Sequence, residues 1–256
     1  MSSIFTALVT QPLYNILIAV YDLVPPHDFG LAIIITTILI RLFLLKVSHK
    51  QIATQKKMQQ LQPEIKKIQQ KYKDDKEKQT KEMFALYKKH GTTPFSGCLP
   101  IIIQLIVFIG FYHILLKMTD KSVAVDAALL YSFVPNPETI SPTLLGWVNL
   151  SEPSVVLAVL AAAAQYWQMK MMIDKREREQ EQKPSVKKEK KSSDKPDMSD
   201  FSEIMMKQML YIGPILTLIF GFTFPGGLAL YWFVSTFFMV LQQYWIFWKD
   251  RRKQTA

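Results

Sequence analysis

The sequence predicts an all-α membrane protein: five transmembrane helices, an N-terminal interfacial amphipathic helix and a helical hairpin on the cytoplasmic side. Three observations carry this prediction. Of the 256 residues, 49% are apolar, and they gather in blocks separated by strongly charged stretches, the pattern of repeated spans rather than of one soluble core. The 31 Lys and Arg residues fall almost entirely on alternate segments between the blocks. One arginine, Arg41, breaks this partition by lying inside an apolar block that runs from Gly30 to Val47.

Taken in order, residues 1–28 form the first element. They are apolar but punctuated by Gln11, Asn15 and Asp22, near one helical stripe, with Leu13, Ile16, Leu17, Val20 and Val24 largely opposite. That pattern suits a helix lying in the interface, with a full span as the alternative. Pro25-Pro26 ends it either way. No Lys or Arg occurs in these residues, so no cleavable signal with a basic start is expected there. Residues 29–50 are the first span. At about 1.5 Å per residue, Arg41 lies roughly 18 Å from Phe29, past the middle of a ~30 Å hydrocarbon core.

Residues 51–96 read as the hairpin. Met58, Leu61, Ile65, Ile68 and Tyr72 are spaced as a heptad seam, in which Pro63 must kink or restart the helix. Lys73 to Lys76 is the turn, and a second helix with Met83, Phe84 and Tyr87 on one side ends at Gly91. Residues 97–117 are the second span and 118–143 an extracytoplasmic loop. Residues 144–169 are the third span, its Ala-rich core running from Val155 to Trp167. Residues 170–207 are a charged cytoplasmic loop, helical near residue 180 and low in complexity beyond it. Residues 208–224 and 227–248 are the last two spans, a tight hairpin across Pro225-Gly226-Gly227, and 249–256 a basic tail.

Charge sets the orientation. Segments 46–96, 170–207 and 249–256 carry thirteen, eleven and four Lys or Arg, whereas residues 1–28 carry none and the loop 118–143 carries Lys121 alone. Basic residues favour the cytoplasm in short loops, so the N-terminus is extracytoplasmic and the C-terminus cytoplasmic. The net charge of +10 therefore reflects topology and attraction to anionic lipid more than a nucleic-acid partner. The single cysteine, Cys98, excludes an intrachain disulfide. Ser96-Gly97-Cys98 has the look of a lipoprotein box, but it lies mid-chain and is read as a buried thiol.

A guanidinium at mid-bilayer costs about 2.5–3.5 kcal/mol on insertion scales. Snorkelling towards the inner interface accounts for one arginine. Gln104, Gln165, Gln242 and Gln243 lie at comparable depth, each individually an interhelical hydrogen bonder. Together with Arg41 they make a hydrophilic pocket the better single explanation. No Asp or Glu lies in the other four spans or in the Val155–Trp167 core of the third, so the cation suits a visiting carboxylate. Nothing in the sequence matches a nucleotide-binding loop, a metal site or a catalytic triad, and no cofactor, no enzymatic chemistry and no small-molecule substrate are expected. A small-solute or ion transporter is the rival class, disfavoured because no inverted repeat or intramembrane acid is evident. A non-translocating assembly scaffold is the other rival.

The chain resembles the YidC/Oxa/Alb membrane protein insertases. The matching stretches are Gly30 to Arg41, Met58 to Tyr72, Gly97 to Gln104, Pro225 to Trp232, and Leu241-Gln242-Gln243, in the family's order. The resemblance implies five core helices around a groove open to the cytoplasm and to lipid but closed outside. Arg41 matches the groove arginine, and Gln104, Gln165 and Trp232 match positions that line or neighbour the groove. Gln242 and Gln243 are groove or packing residues. The large extracytoplasmic domain of Gram-negative members and the lipoprotein signal of many Gram-positive ones are not seen, so a compact bacterial form is expected in the cell (inner) membrane. The implied partners are nascent membrane proteins and the bilayer, with the ribosome and the Sec translocon as candidates beyond these.

Overall fold

Helix dominates the chain because most of its blocks are apolar and unbroken over many turns. A computed structural model describes residues 3–93, 99–116, 123–181 and 198–255, and 78% of the chain is helical. Ser96-Gly97-Cys98, Lys117, Lys121 and residues 182–197 lie outside the described residues. The helices are α1 (Ser3–Leu23), α2 (Phe29–Phe43), α3 (Leu45–Lys71), α4 (Lys76–Lys89), α5 (Leu99–Leu116), α6 (Val155–Glu181), α7 (Met198–Thr223) and α8 (Gly226–Thr255). Two antiparallel pairs of short strands lie between α5 and α6: β1 (Val123–Ala124) with β2 (Thr139–Ile140), and β3 (Thr143–Leu144) with β4 (Val148–Asn149). The chain falls into two compact units. One comprises residues 1–43, 104–169 and 211–256, and the other residues 44–103 and 170–210.

In the first unit, α1 and α6 are each long and apolar enough to cross a bilayer, while α2 and the apolar parts of α5 and α7 are shorter. At Asn15 the polar stripe expected on α1 is not a wet face. Asn15 is 3% exposed; its Nδ2 donates to Leu129 O (2.8 Å) and its Oδ1 accepts from Tyr131 N (2.7 Å). Tyr14 Oη accepts from Asp126 N and Tyr21 Oη from Ser141 N, so the helix satisfies backbone groups of the loop that covers it. Val9 and Leu13 reach α5 at Gly110, where an added Cβ would come within 2.5 Å of Leu13. The core of the unit includes Leu17, Ile18, Phe29, Ile33, Phe111, Leu228 and Tyr231.

Two boundaries differ from expectation. The span expected to start at residue 144 starts as a helix at Val155. Residues 144–154 instead hold the end of β3, the turn at 145–147, β4 and the lead into α6, and Leu145 and Gly146 in the turn take positive φ values of 53° and 72° that a right-handed helix does not accommodate. The span expected over 29–50 pauses at Leu44 (ψ 0°), and residues 45–50 belong to α3. At the other end of the chain, α7 starts before residue 208 and α8 continues through most of the basic tail.

In the second unit α3 and α4 pair as a helical hairpin. Asp75 caps α4, its carboxylate accepting from Lys78 N at 2.9 Å. Leu61, Ile65, Leu86 and Tyr87 are buried between the two helices, with Met58, Ile68 and Met83 packed around them. The seam from Met58 to Ile68 therefore lies where the 3-4 spacing puts it, while Tyr72 falls outside this cluster, with the Lys71 and Lys78 ammonium groups over its ring. Phe84 is the exception: it is 53% exposed, and Leu86 takes the place expected for it. Pro63 lies inside α3 without ending it.

Candidate functional site

The site is built by three apolar helices that each contribute one or two polar groups. Arg41 occupies the last turn of α2, Gln104 the second turn of α5, and Tyr231 and Ser235 successive turns of α8. Residues four apart share a helical face, so Tyr231 and Ser235 point the same way. Arg41 is 9% exposed. Its Nε donates to Ser235 Oγ at 2.9 Å, and its Nη2 donates to both Ser235 Oγ and Gln104 Oε1. Gln104 Nε2 in turn donates to Tyr231 Oη at 2.9 Å, and the Tyr231 ring stacks on Phe111 with centroids 4.5 Å apart.

These recorded partners of the guanidinium are all neutral. They satisfy donors but do not compensate charge, and a desolvated cation without a counter-ion is costly. Polar groups continue along the same two helices. Thr36 and Thr37 precede Arg41, Thr236 follows Ser235, and all three are buried. Gln242 and Gln243 are buried about two turns beyond Ser235. Among the described residues, Gln242 Nε2, Gln243 Oε1 and Thr36 Oγ1 have no hydrogen-bond partner.

Gln165 and Trp232 lie elsewhere. Gln165 Oε1 on α6 accepts from Thr217 Oγ1 on α7, and Thr217 Oγ1 also reaches Gly213 O at 3.1 Å. Close helix approach makes this pair possible: a Cβ on Gly221 would lie 2.4 Å from that of Ala158. Trp232 turns to the next face of α8, edge-on to Phe108 with centroids 5.2 Å apart. It borders a cleft with Ala161, Thr217, Phe220, Phe224 and Leu228. Of the residues expected to line one pocket, the structure joins Gln104 to Arg41 directly. It leaves Trp232 at this mainly apolar cleft and Gln165 bonded to Thr217, one of the residues that line it.

A family model described as 60Kd inner membrane protein matches residues 19–253. The chain belongs to that family. Among curated relatives, it is 34% identical over 232 residues to "Membrane protein insertase MisCA" of Bacillus subtilis (strain 168), covering 88% of this chain and 73% of the relative. "Membrane protein insertase YidC" of Fusobacterium nucleatum subsp. nucleatum is 32% identical over 219 residues, covering 86% of both chains. Among solved structures, "Active YidC insertase crystal structure with the first transmembrane domain resolved" has the same fold. Its TM-score is 0.52 at 24% identity, over 88% of this chain and 43% of that one.

Within the family frame, two site residues are new to the reading of the sequence. Ser235 and Tyr231 complete the arginine's surroundings, yet a serine and a tyrosine in an apolar helix draw no attention alone. The available signal was their four-residue spacing on the helix that also carries Gln242 and Gln243.

Proposed function

We propose that the chain is a membrane protein insertase of the cell (inner) membrane, working through a hydrophilic groove whose fixed positive charge is Arg41. The observation that carries this reading is a buried guanidinium with neutral hydrogen-bonding partners on three apolar helices, in a chain of an insertase family. In this reading α2, α5, α6, α7 and α8 supply five spans. The N-terminus faces outward, and the α3–α4 hairpin and the C-terminal basic residues face the cytoplasm, as the charge distribution favours.

A nascent segment with a short acidic tail approaches from the cytoplasm, received by the hairpin, with the ribosome or the Sec translocon as possible escorts. The tail enters beside Arg41, whose charge its carboxylate balances. Thr36, Gln242 and Gln243 carry the buried polar atoms that water or the tail's peptide groups would pair with. The apolar segment then leaves past Trp232 and the α6–α7 cleft into lipid, and its transfer from water drives the step. No bond is made or broken, so the groove need only lower the barrier to moving polar groups through a region of low dielectric.

The test is photocrosslinking of a stalled nascent membrane protein to probes at positions 104 and 232. Crosslinks at both, ordered with the tail nearer 104 and the apolar segment nearer 232, are expected. Crosslinks confined to the hairpin would favour a scaffold without a groove.

A further inference from the structure

The turn between β3 and β4 carries two large apolar side chains that the groove does not use. Leu145 and Gly146 form its tip with φ values of 53° and 72°. Three residues, 145–147, join the strands, and positive φ at such positions favours Asn, Asp or Gly, because a leucine Cβ is crowded there. Leu145 is nonetheless 64% exposed and the following Trp147 is 93% exposed, so packing within the protein holds neither side chain in place.

The depth of the tip follows from its anchors. Leu144 presses on Gly30 in the first turn of α2, where an added Cβ would lie 2.4 Å from Leu144 Cδ1. Gly226 N donates to Glu152 O (2.8 Å) and Gly227 N to Leu150 O (3.0 Å), fastening the end of the turn region to the first turn of α8. The tip thus sits level with the starts of two apolar helices. Residues 122–169 contain no Lys or Arg, so anionic headgroups offer this region no specific attraction. An indole beside an aliphatic side chain instead matches the boundary between glycerol and acyl chain, where tryptophan concentrates.

We propose that the β3–β4 tip is a lipid anchor: Leu145 and Trp147 enter the outer-leaflet interface and set the depth at which α2 and α8 begin. Burial of Leu145 in lipid offsets its backbone strain. The inference rests on the reading of α2 and α8 as membrane spans that start outside.

The test reconstitutes the full chain in phosphatidylcholine–phosphatidylglycerol vesicles containing lipids brominated either near the glycerol or near the acyl terminus. The difference in fluorescence between wild type and Trp147→Phe isolates Trp147 from the other four tryptophans. Shallow bromines are expected to quench this difference signal about twofold more than deep ones, with acrylamide quenching it weakly. Leu145→Asn is expected to weaken the shallow quenching without lowering thermal stability in detergent. A difference signal quenched by acrylamide like free tryptophan and untouched by either bromolipid would overturn the anchor. A separate arm addresses the spans. Asn136→Cys and Lys73→Cys, each in a Cys98→Ser background, are labelled with an impermeant maleimide in sealed vesicles. Labelling from opposite sides upholds the spanning reading, and labelling from one side defeats it whatever the bromolipids report.

Discussion

The cluster around Arg41 and the Gln165–Thr217 pair are both polar and both interhelical, yet only the first holds a charge. Thr217 donates to Gln165 Oε1, a neutral bond that joins α6 to α7. The Arg41 guanidinium reaches Ser235 and Gln104 but meets no carboxylate among these partners. A neutral pair inside apolar helices is a fastening; in the function proposed above, a cation with neutral partners is what an incoming anion would meet. Depth alone does not separate the two, because a glutamine contributes to each.

The largest effect is expected from Arg41→Ala. Charge-assisted hydrogen bonds contribute about 1.5–3 kcal/mol, so insertion of an acidic-tailed substrate should fall about tenfold or more, measured in proteoliposomes. Arg41→Lys should retain most activity, since charge matters here more than fork geometry. Gly221→Leu comes next. Its side chain would enter the space of Ala158, and overpacking of this kind costs about 1–3 kcal/mol, seen as a lower Tm in detergent. That loss would show that the Gln165–Thr217 pair depends on close helix approach.

Tyr231→Phe removes the oxygen that accepts from Gln104 and should cost about 1 kcal/mol of stability and a few-fold in insertion rate. The smallest effect is expected from Thr217→Val. Interhelical hydrogen bonds in membranes average about 0.6 kcal/mol, so Tm should shift slightly and insertion should stay at the wild-type level. An insertion defect as deep as that of Arg41→Ala would erase the distinction between the two clusters.

Much of the fold is legible in the sequence because helical periods and block hydropathy are local properties. Leu61 and Ile65 of the seam are buried and Met58 and Ile68 pack partly buried against them, as the spacing requires. Arg41 stands out because its cost in an apolar run does not depend on its neighbours. What the sequence does not show is how helices turn relative to one another. Gln104 and Gln165 look equivalent by composition, and only the packing of α5 against α8 and of α6 against α7 separates them. Asn15 reads as part of a wet stripe because a polar side chain looks the same whether it meets water or a loop carbonyl. The β3–β4 turn is hidden for a different reason: Leu144 and Leu145 extend an apolar run, and a positive φ at a leucine has no compositional mark.

The central claim is that Arg41 acts through charge on the substrate. Its most direct test is insertion of two matched substrates, one with an Asp-containing tail and one with Asn in its place, by wild type and by Arg41→Ala. The account predicts that Arg41→Ala slows the Asp substrate far more than the Asn substrate, giving a large interaction term between the two changes. Equal slowing of both substrates, or of neither, would contradict it.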